Sequence, residues 1–502
     1  MTHRPLQLGV AASVVIVAVV VYGQTLAPSI TWQHGGADSG DLAAAVATLG
    51  VPHPPGYPTY VLAGYAWSRL PFGGDLAYRL NLFSAVGAAL AAGLTALTVM
   101  QWRQWPTMPP VSPLSGSLTE GALCIGAGVA GLFLAFAPLV WSQATITEVY
   151  APGLAALCLL NWLMLTWRVT PSTKDGLLVV LAGLTLGLGF GLLPQIVLVG
   201  PGLLLLLSRG QRPSPQFWHH TMLFLLGTVV GLSVFIYLPV RAVAQPFINW
   251  GNPSSPIRFW SMVTAAPYHH YLELLEPIDW LKRLGSSAVY VQQSLSWSGV
   301  GLAVLGGCVL WLRDRLFLTY LLSLSVLTFI FRTVYPVMGN RVYLLPALAC
   351  LALLIGLGTA WLLEKVRHHV GQTGMIIVGL SLLITLAIRA STLAPQFDLS
   401  DDHQAAQFGQ ETLANLPPRA MVLSGQDDTT FSLWYRQALG QRPDVVVVDK
   451  RLLYFDWYRD HLSHHYPDLT LAEDATPPFA STRPLFELAG ESHYQLSQSA
   501  FE

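Results

Sequence analysis

Residues 7–27, QLGVAASVVIVAVVVYGQTLA, decide the fold, because this apolar run is long enough to cross the hydrocarbon core of a bilayer. The run exceeds the apolar region of a cleaved signal peptide, and its small-residue cleavage candidate, Thr25-Leu26-Ala27, is followed by Pro28. The segment is therefore predicted to stay in the membrane as a helix. It is followed by Asp38-Ser39-Gly40-Asp41 and His53-Pro54-Pro55-Gly56-Tyr57-Pro58, which gather ionisable groups and a rigid turn at one membrane face.

The rest of the chain repeats this apolar pattern. Hydrophobic residues make up 53% of the 502 residues and charged residues 11%, a composition typical of a polytopic membrane protein. The two short segments around Gly189 to Gln195 could instead form one bent helix or a re-entrant pair. The sequence predicts about eleven transmembrane helices, each roughly 15 to 22 residues long. They lie near residues 7–27, 80–100, 119–140, 150–167, 176–191, 194–208, 220–240, 296–312, 316–334, 343–363 and 374–391.

The charged residues predict the orientation, because cytoplasmic loops collect Lys and Arg. With the amino terminus inside, every inner segment carries a basic residue: Arg4, Arg103, Arg168, Lys174, Arg209, Arg212, Arg313, Arg315, Lys365 and Arg367. Of the 27 acidic residues, only Glu120, Asp175, Asp314 and Glu364 fall on that side. The pattern predicts a cytoplasmic amino terminus and an extracytoplasmic carboxyl terminus.

Three outward regions are long enough to hold chemistry: residues 28–79, residues 241–295 and the tail at 392–502. In the tail, acidic residues outnumber basic ones by 16 to 7, and Val-rich runs replace the apolar spans. Met421 to Leu423 and Val445 to Val448 are predicted strands around a helix from Phe431 to Leu439, which is typical of a βαβ unit. We therefore predict a transmembrane domain over 1–391 and a small soluble α/β domain over 392–502.

Short motifs recur along the chain at the outer ends of the predicted spans and in the tail. They are Asp38-Ser39-Gly40-Asp41, His53-Pro54-Pro55-Gly56-Tyr57-Pro58, Tyr78-Arg79-Leu80-Asn81, Trp141-Ser142-Gln143, Thr147-Glu148-Val149-Tyr150, Leu238-Pro239-Val240-Arg241, Ile248-Asn249-Trp250-Gly251-Asn252-Pro253, Asp427-Asp428-Thr429-Thr430, Leu433-Trp434-Tyr435 and Arg442-Pro443-Asp444-Val445. Together these motifs resemble one membrane family of bacterial proteins, whose animal relative is a transmembrane protein O-mannosyltransferase acting on plexin-type receptors. The family resembles a branch of the GT-C glycosyltransferases, and the likeness covers nearly the whole chain. The second acid of its first motif is commonly Glu, whereas here it is Asp41.

The resemblance implies a GT-C-like fold in a bacterial plasma membrane and a sugar donor carried on polyprenyl phosphate. The predicted reaction is inverting transfer of a sugar, with a mannose-like hexose as one candidate, to a hydroxyl of an exported protein or an envelope glycan. Membrane lipids are expected partners and nucleic acids are not. A transporter or flippase for lipid-linked sugars is the alternative, although broken helices in repeated halves, typical of transporters, are not evident. A membrane-anchored binding protein that acts through its tail is a further alternative.

Carboxylates on the outer side are the catalytic candidates, because transfer to a hydroxyl needs a base. Asp38 is the predicted general base. Asp41 is its partner, a metal ligand or a helix cap, and Glu148 at the outer end of a span is a further candidate. A solvated acidic loop and an ordinary interfacial acid are the alternative interpretations. No cofactor is required by any motif, and a divalent cation is possible only because the two acids lie close together.

Four arginines lie at outer membrane boundaries, where positive-inside bias disfavours them unless they bind an anion. Arg79, Arg241, Arg332 and Arg341 are thus predicted to bind the donor phosphate, with Arg241 and Arg341 preferred. Contacts to lipid headgroups are the alternative. The predicted substrate-binding residues are His53, Tyr57, Asn249 and Trp250. For these, a hydrogen bond within the proline turn and an interfacial aromatic belt are the alternatives.

Overall fold

The computed structural model describes residues 4–104, 118–169, 175–208, 214–273, 275–337, 339–469, 483–488 and 496–498. Lys174, Arg209 and Arg212, which the sequence places in inner loops, lie outside these residues. The helices are α1 (Arg4–Gln24), α2 (Ser39–Thr48), α3 (Pro58–Ser68), α4 (Leu76–Met100), α5 (Glu120–Ala135), α6 (Pro138–Ala144), α7 (Tyr150–Val169), α8 (Asp175–Phe190), α9 (Gly200–Ser208), α10 (Pro215–Leu232), α11 (Tyr237–Val243), α12 (Pro256–Val263), α13 (Pro277–Arg313), α14 (Arg315–Val334), α15 (Leu345–Val370), α16 (Gln372–Phe397), α17 (Gln404–Asn415), α18 (Asp427–Ala438) and α19 (Asp456–His465). Short 3-10 helices occupy Gln33–Asp38, Gln101–Gln104, Pro194–Val199, Ser233–Ile236, Ala266–Tyr271, Asn340–Leu344 and Leu452–Tyr454.

The predicted polytopic helical fold is confirmed. Within the described residues, eight helices are long and apolar enough to cross a membrane, and the bent pair α5 and α6, at 63°, makes up to nine. The shorter apolar helices at Asp175–Phe190 and Pro194–Ser208 correspond to the two predicted short spans. Every predicted span therefore falls on a helical segment.

Small residues allow the membrane helices to pack closely, as is common where lipid removes the hydrophobic drive for association. A Cβ at Gly87 of α4 would lie 2.9 Å from the backbone of Pro152 in α7. A Cβ at Gly306 of α13 would lie 1.9 Å from the carbonyl oxygen of Leu354 in α15. These contacts exclude even a methyl group, so the glycines fix the spacing of the bundle.

Charged contacts join helix ends on the predicted inner side. Arg168 at the end of α7 forms an ion pair of 2.8 Å with Asp314, which caps α14. Glu364 of α15 accepts hydrogen bonds from the backbone and hydroxyl of Thr119 and pairs with Arg367. The orientation of these ends relative to the membrane stays a prediction.

The tail contains the predicted small sheet. Strand β1 (Met421–Ser424) pairs in parallel with β2 (Val446–Asp449) across α18, so the predicted βαβ unit is confirmed. Strand β3 (Leu485–Leu488) pairs in parallel with β1, and β4 (Leu496–Gln498) pairs antiparallel with β3. The strand order is β2-β1-β3-β4. Three of the four Val residues in the run lie in the buried strand β2, where β-branched side chains pack well.

The tail packs directly on the first outer region. A Cβ at Gly40 of α2 would lie 2.4 Å from the carbonyl oxygen of Phe431 in α18, so the two helices touch by their backbones. Ala44 and Ala45 of α2 share one hydrophobic cluster with the sheet. Helix α16 continues to Phe397, past the predicted boundary at residue 391. The division of the chain into two domains stays a prediction.

Candidate functional site

The acidic motif forms the beginning of α2. A 3-10 helix over Gln33–Asp38 leads directly into α2 at Ser39. Asp38 and Asp41 are three residues apart and therefore lie on one side of the helix. The loop between α2 and α3 contains the cis peptide bond Pro54-Pro55, and α3 begins at Pro58. This loop places the imidazole of His53 within 3.8 Å of both acids.

Asp41 is a fully buried carboxylate with three donors. Its Oδ2 accepts hydrogen bonds from the backbone nitrogen of His53 at 3.0 Å and from His53 Nδ1 at 2.8 Å. Its Oδ1 accepts from Trp250 Nε1 at 2.9 Å. The side chain of Asp41 thus orients His53 and Trp250, two residues that the sequence predicted to bind substrate.

Asp38 lies on the other side of the same imidazole. Its Oδ2 is 3.8 Å from His53 Nε2, and 39% of its side chain is exposed, against 12% for His53. Burial raises the pKa of Asp38 above its ordinary value, and the positive charge of His53 offsets part of that shift. Burial alone would lower the pKa of His53, but the charges of Asp38 and Asp41 outweigh it and raise this pKa to about 10. His53 is therefore an imidazolium between two carboxyl groups at neutral pH.

A cavity of about 440 Å³ opens beside these groups. Asp38, Glu148 and Arg341 all line it, although they come from three separate parts of the chain. The cavity therefore brings together one candidate base, one further carboxyl and one arginine. The remaining lining residues are His34, Gly35, Pro138, Leu139, Ser142, Gln143, Tyr150, Tyr290, Gly339, Val342, Tyr343 and Phe397.

Glu148 lies in the connection between α6 and α7 and is 3% exposed. Its Oε2 accepts a hydrogen bond from the backbone nitrogen of Val149 at 3.1 Å. Burial raises the pKa of Glu148 well above its ordinary value, and the charge of Asp38 adds to the shift. Glu148 therefore favours the neutral acid, which can donate a hydrogen bond.

The four predicted phosphate-binding arginines have different surroundings. Arg341 is exposed, lies over the ring of Tyr290 at 5.0 Å and makes no ion pair with another described residue. Arg332 does not line the cavity and bonds the hydroxyl of Ser287 on α13. Of the four, only Arg341 lines the cavity.

Two of these arginines donate hydrogen bonds to backbone carbonyls at helix ends. Arg241 donates to Leu49 O at 2.6 Å and to Thr48 O at 3.2 Å, which satisfies the end of α2. Arg79 donates to Ser68 O at 3.0 Å at the end of α3. Binding of the donor phosphate by these two residues stays a prediction.

The other two predicted substrate-binding residues, Tyr57 and Asn249, are both buried. Tyr57 is buried, and its ring lies 5.3 Å from that of His53, edge to face. Asn249 is buried, forms an isolated bridge with Val51 and donates to Ala242 O at 3.3 Å. Neither residue lines the cavity with Asp38.

Sequence reasoning missed several residues that line the cavity. His34 presents its ring to Phe397 at 5.5 Å, and Gln143 donates to the backbone oxygen of His34 at 3.2 Å. Tyr150 and Tyr343 both line the cavity, and the centroids of their rings are 6.4 Å apart. Gln143 and Tyr150 belong to two of the motifs quoted above, so their motifs could have indicated them as site residues. His34 and Tyr343 belong to none of these motifs, and no pattern in the sequence indicated them.

No group of three or more His, Cys, Asp or Glu side chains among the described residues is arranged to hold a metal ion. Two acids whose charges act on Asp38 have other partners. Asp41 is bound to His53 and Trp250, and Asp427 pairs with Arg451 at 2.6 Å.

Two family models match this chain. The model of the protein O-mannosyl-transferase TMEM260 N-terminal domain matches residues 38–215, which begin at Asp38 and include Glu148. The model of TMEM260-associated domain 2 matches residues 405–468, which include α18 and the first two strands. The two matches thus cover both sides of the contact between α2 and α18.

Two relatives from other organisms are similar to this chain over most of its length. The mouse protein O-mannosyl-transferase TMEM260 is 27% identical over 476 residues, which are 89% of this chain and 64% of the relative. The Dictyostelium discoideum protein O-mannosyl-transferase tmem260 is 21% identical over 494 residues, which are 88% of this chain and 57% of the relative. The chain therefore spans about three fifths of the length of these relatives.

Solved structures show the fold. ArnT from Cupriavidus metallidurans in the apo state superposes with a TM-score of 0.56 at 14% identity, covering 89% of this chain and 91% of ArnT. The same protein bound to undecaprenyl phosphate gives a TM-score of 0.55, with the same identity and coverage. The structure is that of a multi-pass membrane protein with a GT-C-like fold. In sequence, the chain is related to the TMEM260 protein O-mannosyl-transferases.

Proposed function

We propose that this protein is a glycosyltransferase that moves a sugar from a polyprenyl-phosphate donor to a hydroxyl of a protein or envelope-glycan acceptor. The observation that carries the proposal is the meeting of Asp38, Glu148 and Arg341 in one cavity of about 440 Å³. A carboxylate that accepts a proton and a cation that binds a phosphate are the groups this reaction needs. A mannose-like hexose is the first donor to test.

In the proposed step, the acceptor hydroxyl attacks the anomeric carbon of the sugar from the face opposite the phosphate. The new carbon–oxygen bond forms as the bond to the phosphate oxygen breaks, so the configuration inverts. The hydroxyl proton passes to Asp38. The polyprenyl phosphate leaves with the electron pair of the broken bond, and Arg341 stabilises its negative charge.

The pair formed by His53 and Asp41 supports Asp38 as the base. Burial makes the Asp38 carboxylate more basic, whereas the neighbouring imidazolium, 3.8 Å away, favours its ionised form. Because burial and the charge of His53 shift its pKa in opposite directions, Asp38 can be ionised before the reaction and still accept a proton during it. Glu148, as a neutral acid, would donate a hydrogen bond to a sugar or acceptor oxygen within the cavity.

The comparisons support the proposal at the level of class. The relatives named above are protein O-mannosyl-transferases, and ArnT of the same fold has been solved with undecaprenyl phosphate bound. We propose a bacterial plasma membrane and an extracytoplasmic site, in agreement with the charges of the loops. The acceptor is then an exported protein or a glycan of the envelope.

The proposal is tested by reconstituting purified protein in vesicles with radiolabelled polyprenyl-phosphate mannose or glucose and a membrane-extract acceptor. We expect transfer by the wild type and loss of at least about 100-fold in Asp38→Asn. Asp279→Asn is the matched control, because Asp279 is an exposed carboxylate of the second outer region that pairs only with Lys282 in the described chain. Full transfer by Asp38→Asn would overturn its role. Donor binding without transfer by any variant would favour the transporter alternative.

A further inference from the structure

We propose that Trp250 is a positioning residue, through which the tail holds Asp41 and His53 in place for the reaction. This inference rests on the proposed function. It assigns to the tail a part in catalysis, and it gives Trp250 a task other than contact with the sugar.

The indole of Trp250 links two parts of the molecule. Its Nε1 donates to Asp41 Oδ1 at 2.9 Å, on the side of the outer loop. Its ring packs against three aromatic rings of the tail, those of Phe431 at 6.0 Å, Trp434 at 6.2 Å and Trp457 at 5.9 Å. The tail therefore determines where the indole N–H points.

From Asp41 the contacts lead to the proposed base. Asp41 Oδ2 accepts hydrogen bonds from the backbone nitrogen and from the ring Nδ1 of His53. His53 Nε2 lies 3.8 Å from Asp38. Because Asp41 is fully buried, it has no water to replace a lost donor. A displaced indole would consequently leave one carboxylate oxygen without its donor and loosen the imidazole.

Further contacts hold the tail against this part of α2. Trp32 Nε1 donates to Asp428 O at 3.0 Å and to Ser432 Oγ at 3.1 Å, both on α18. The hydroxyl oxygen of Tyr435, on the same helix, accepts a hydrogen bond of 3.2 Å from the backbone nitrogen of Ala77. Together with the close backbone approach of Gly40 to Phe431, these hydrogen bonds hold α18 against the segments before and after the acidic motif. Such support is what a precisely oriented reacting group requires.

The first test replaces Trp250→Phe, which keeps an aromatic ring and removes the N–H. We expect kcat to fall about tenfold or more, with the KM for polyprenyl-phosphate mannose changed less than twofold. The charged and titratable groups around His53 are Asp38, Asp41, Glu148 and Tyr57. A loosened Asp41 holds the proton of His53 less firmly, so the alkaline limit of the pH profile should move to lower pH.

Trp67→Phe is the matched control. Trp67 donates one indole hydrogen bond of 2.8 Å to Arg79 O, outside the cavity, so it loses a comparable bond without touching Asp41. We expect its kcat and pH profile to match the wild type. A rise in KM alone for Trp250→Phe would make Trp250 a substrate-binding residue and overturn the proposal, as would unchanged kinetics.

The second test changes the tail side of the link. Phe431→Leu removes a ring that packs on Trp250, and we expect the same fall in kcat and the same shift of the pH profile, both smaller. Phe486→Leu is its control, because Phe486 lies in β3 of the same sheet and makes no ring contact with Trp250. Equal kinetics for the two variants would overturn the part assigned to the tail. If the wild type transfers no sugar from any donor, the proposed function fails and not this inference alone.

Discussion

Asp41 binds His53 twice, because one carboxylate oxygen accepts both the backbone nitrogen at 3.0 Å and the ring Nδ1 at 2.8 Å. This double contact fixes the rotation of the imidazole and directs Nε2 towards Asp38. The buried carboxylate thus serves the neighbouring imidazole and the more exposed Asp38 faces the cavity.

Asp41→Asn should reduce both activity and stability. An amide nitrogen cannot accept the bond from His53, so buried donors lose their partner at a cost of about 1–3 kcal/mol in the free energy of unfolding. We expect transfer to fall about 100-fold. Sugar transfer and thermal unfolding of the same preparation measure the two effects. Asp38→Asn is the comparison, since its half-exposed carboxyl should lose activity with little loss of stability, and a stable, active Asp41→Asn protein would contradict this account.

Arg341→Gln should affect donor binding, whereas Arg241→Gln should affect stability. Arg341 lines the cavity, so its loss should raise the KM for the lipid donor by roughly 10- to 150-fold, equivalent to about 1.5–3 kcal/mol for a charged hydrogen bond. Arg241 satisfies the carbonyls of Thr48 and Leu49, so its loss should lower the unfolding temperature and leave that KM unchanged. Donor titrations and thermal unfolding separate the two, and the reverse result would assign phosphate binding to Arg241.

The stability of the protein should depend on pH through His53. Its pKa is raised to about 10 in the fold, from about 6.5 in an unfolded chain, so the proton is held more tightly by the folded state. The stability it contributes is complete below about pH 6.5 and declines as the pH rises to about 10. Unfolding temperatures between pH 6 and 10 should fall less steeply in His53→Gln than in the wild type. Parallel curves would show that folding does not raise the pKa of His53.

Glu148→Gln should stabilise the protein at neutral pH. Burial raises the pKa of Glu148, so its contribution to stability is complete below the unfolded pKa of about 4.3 and declines as the pH rises. A glutamine has the shape of the neutral acid without the penalty of ionisation. We expect a higher unfolding temperature than the wild type at pH 8 and an equal one at pH 4. A lower value at pH 8 would mean that the Glu148 anion is stabilised in the fold.

Gly306→Ala should disrupt the membrane bundle, whereas Gly307→Ala should not. The added Cβ would lie 1.9 Å from Leu354 O at position 306 but has no atom within 4 Å at position 307. Overpacking of this kind costs about 1–3 kcal/mol, and Ala in place of an unconstrained helical Gly gains up to about 1 kcal/mol. Thermal unfolding in detergent compares the two neighbours. Equal unfolding temperatures would show that α13 and α15 are not packed at Gly306.

The membrane helices and the βαβ unit were predictable because their signals are local. Apolar runs of sufficient length require a helix in lipid, where each backbone group must be satisfied within its own segment. The Val run of β2 and the helix before it likewise follow from periodicity. The sequence could also indicate Asp38 and Glu148, since ionisable groups at a membrane boundary need a reason. It did not separate Arg341 from Arg241, the two arginines it preferred, because a guanidinium bound to a helix end and one facing a cavity occupy the same kind of position in the chain.

The sequence by itself determined which segments cross the membrane, which regions carry charge between them and which residue types are available for chemistry. Only the tertiary structure decided that Asp41 holds His53, that Arg341 shares a cavity with Asp38 and Glu148, and that the tail packs around Trp250. These relationships join residues up to hundreds of positions apart. They depend on how closely helices approach and on which donors remain unsatisfied after packing, and no local pattern records either property.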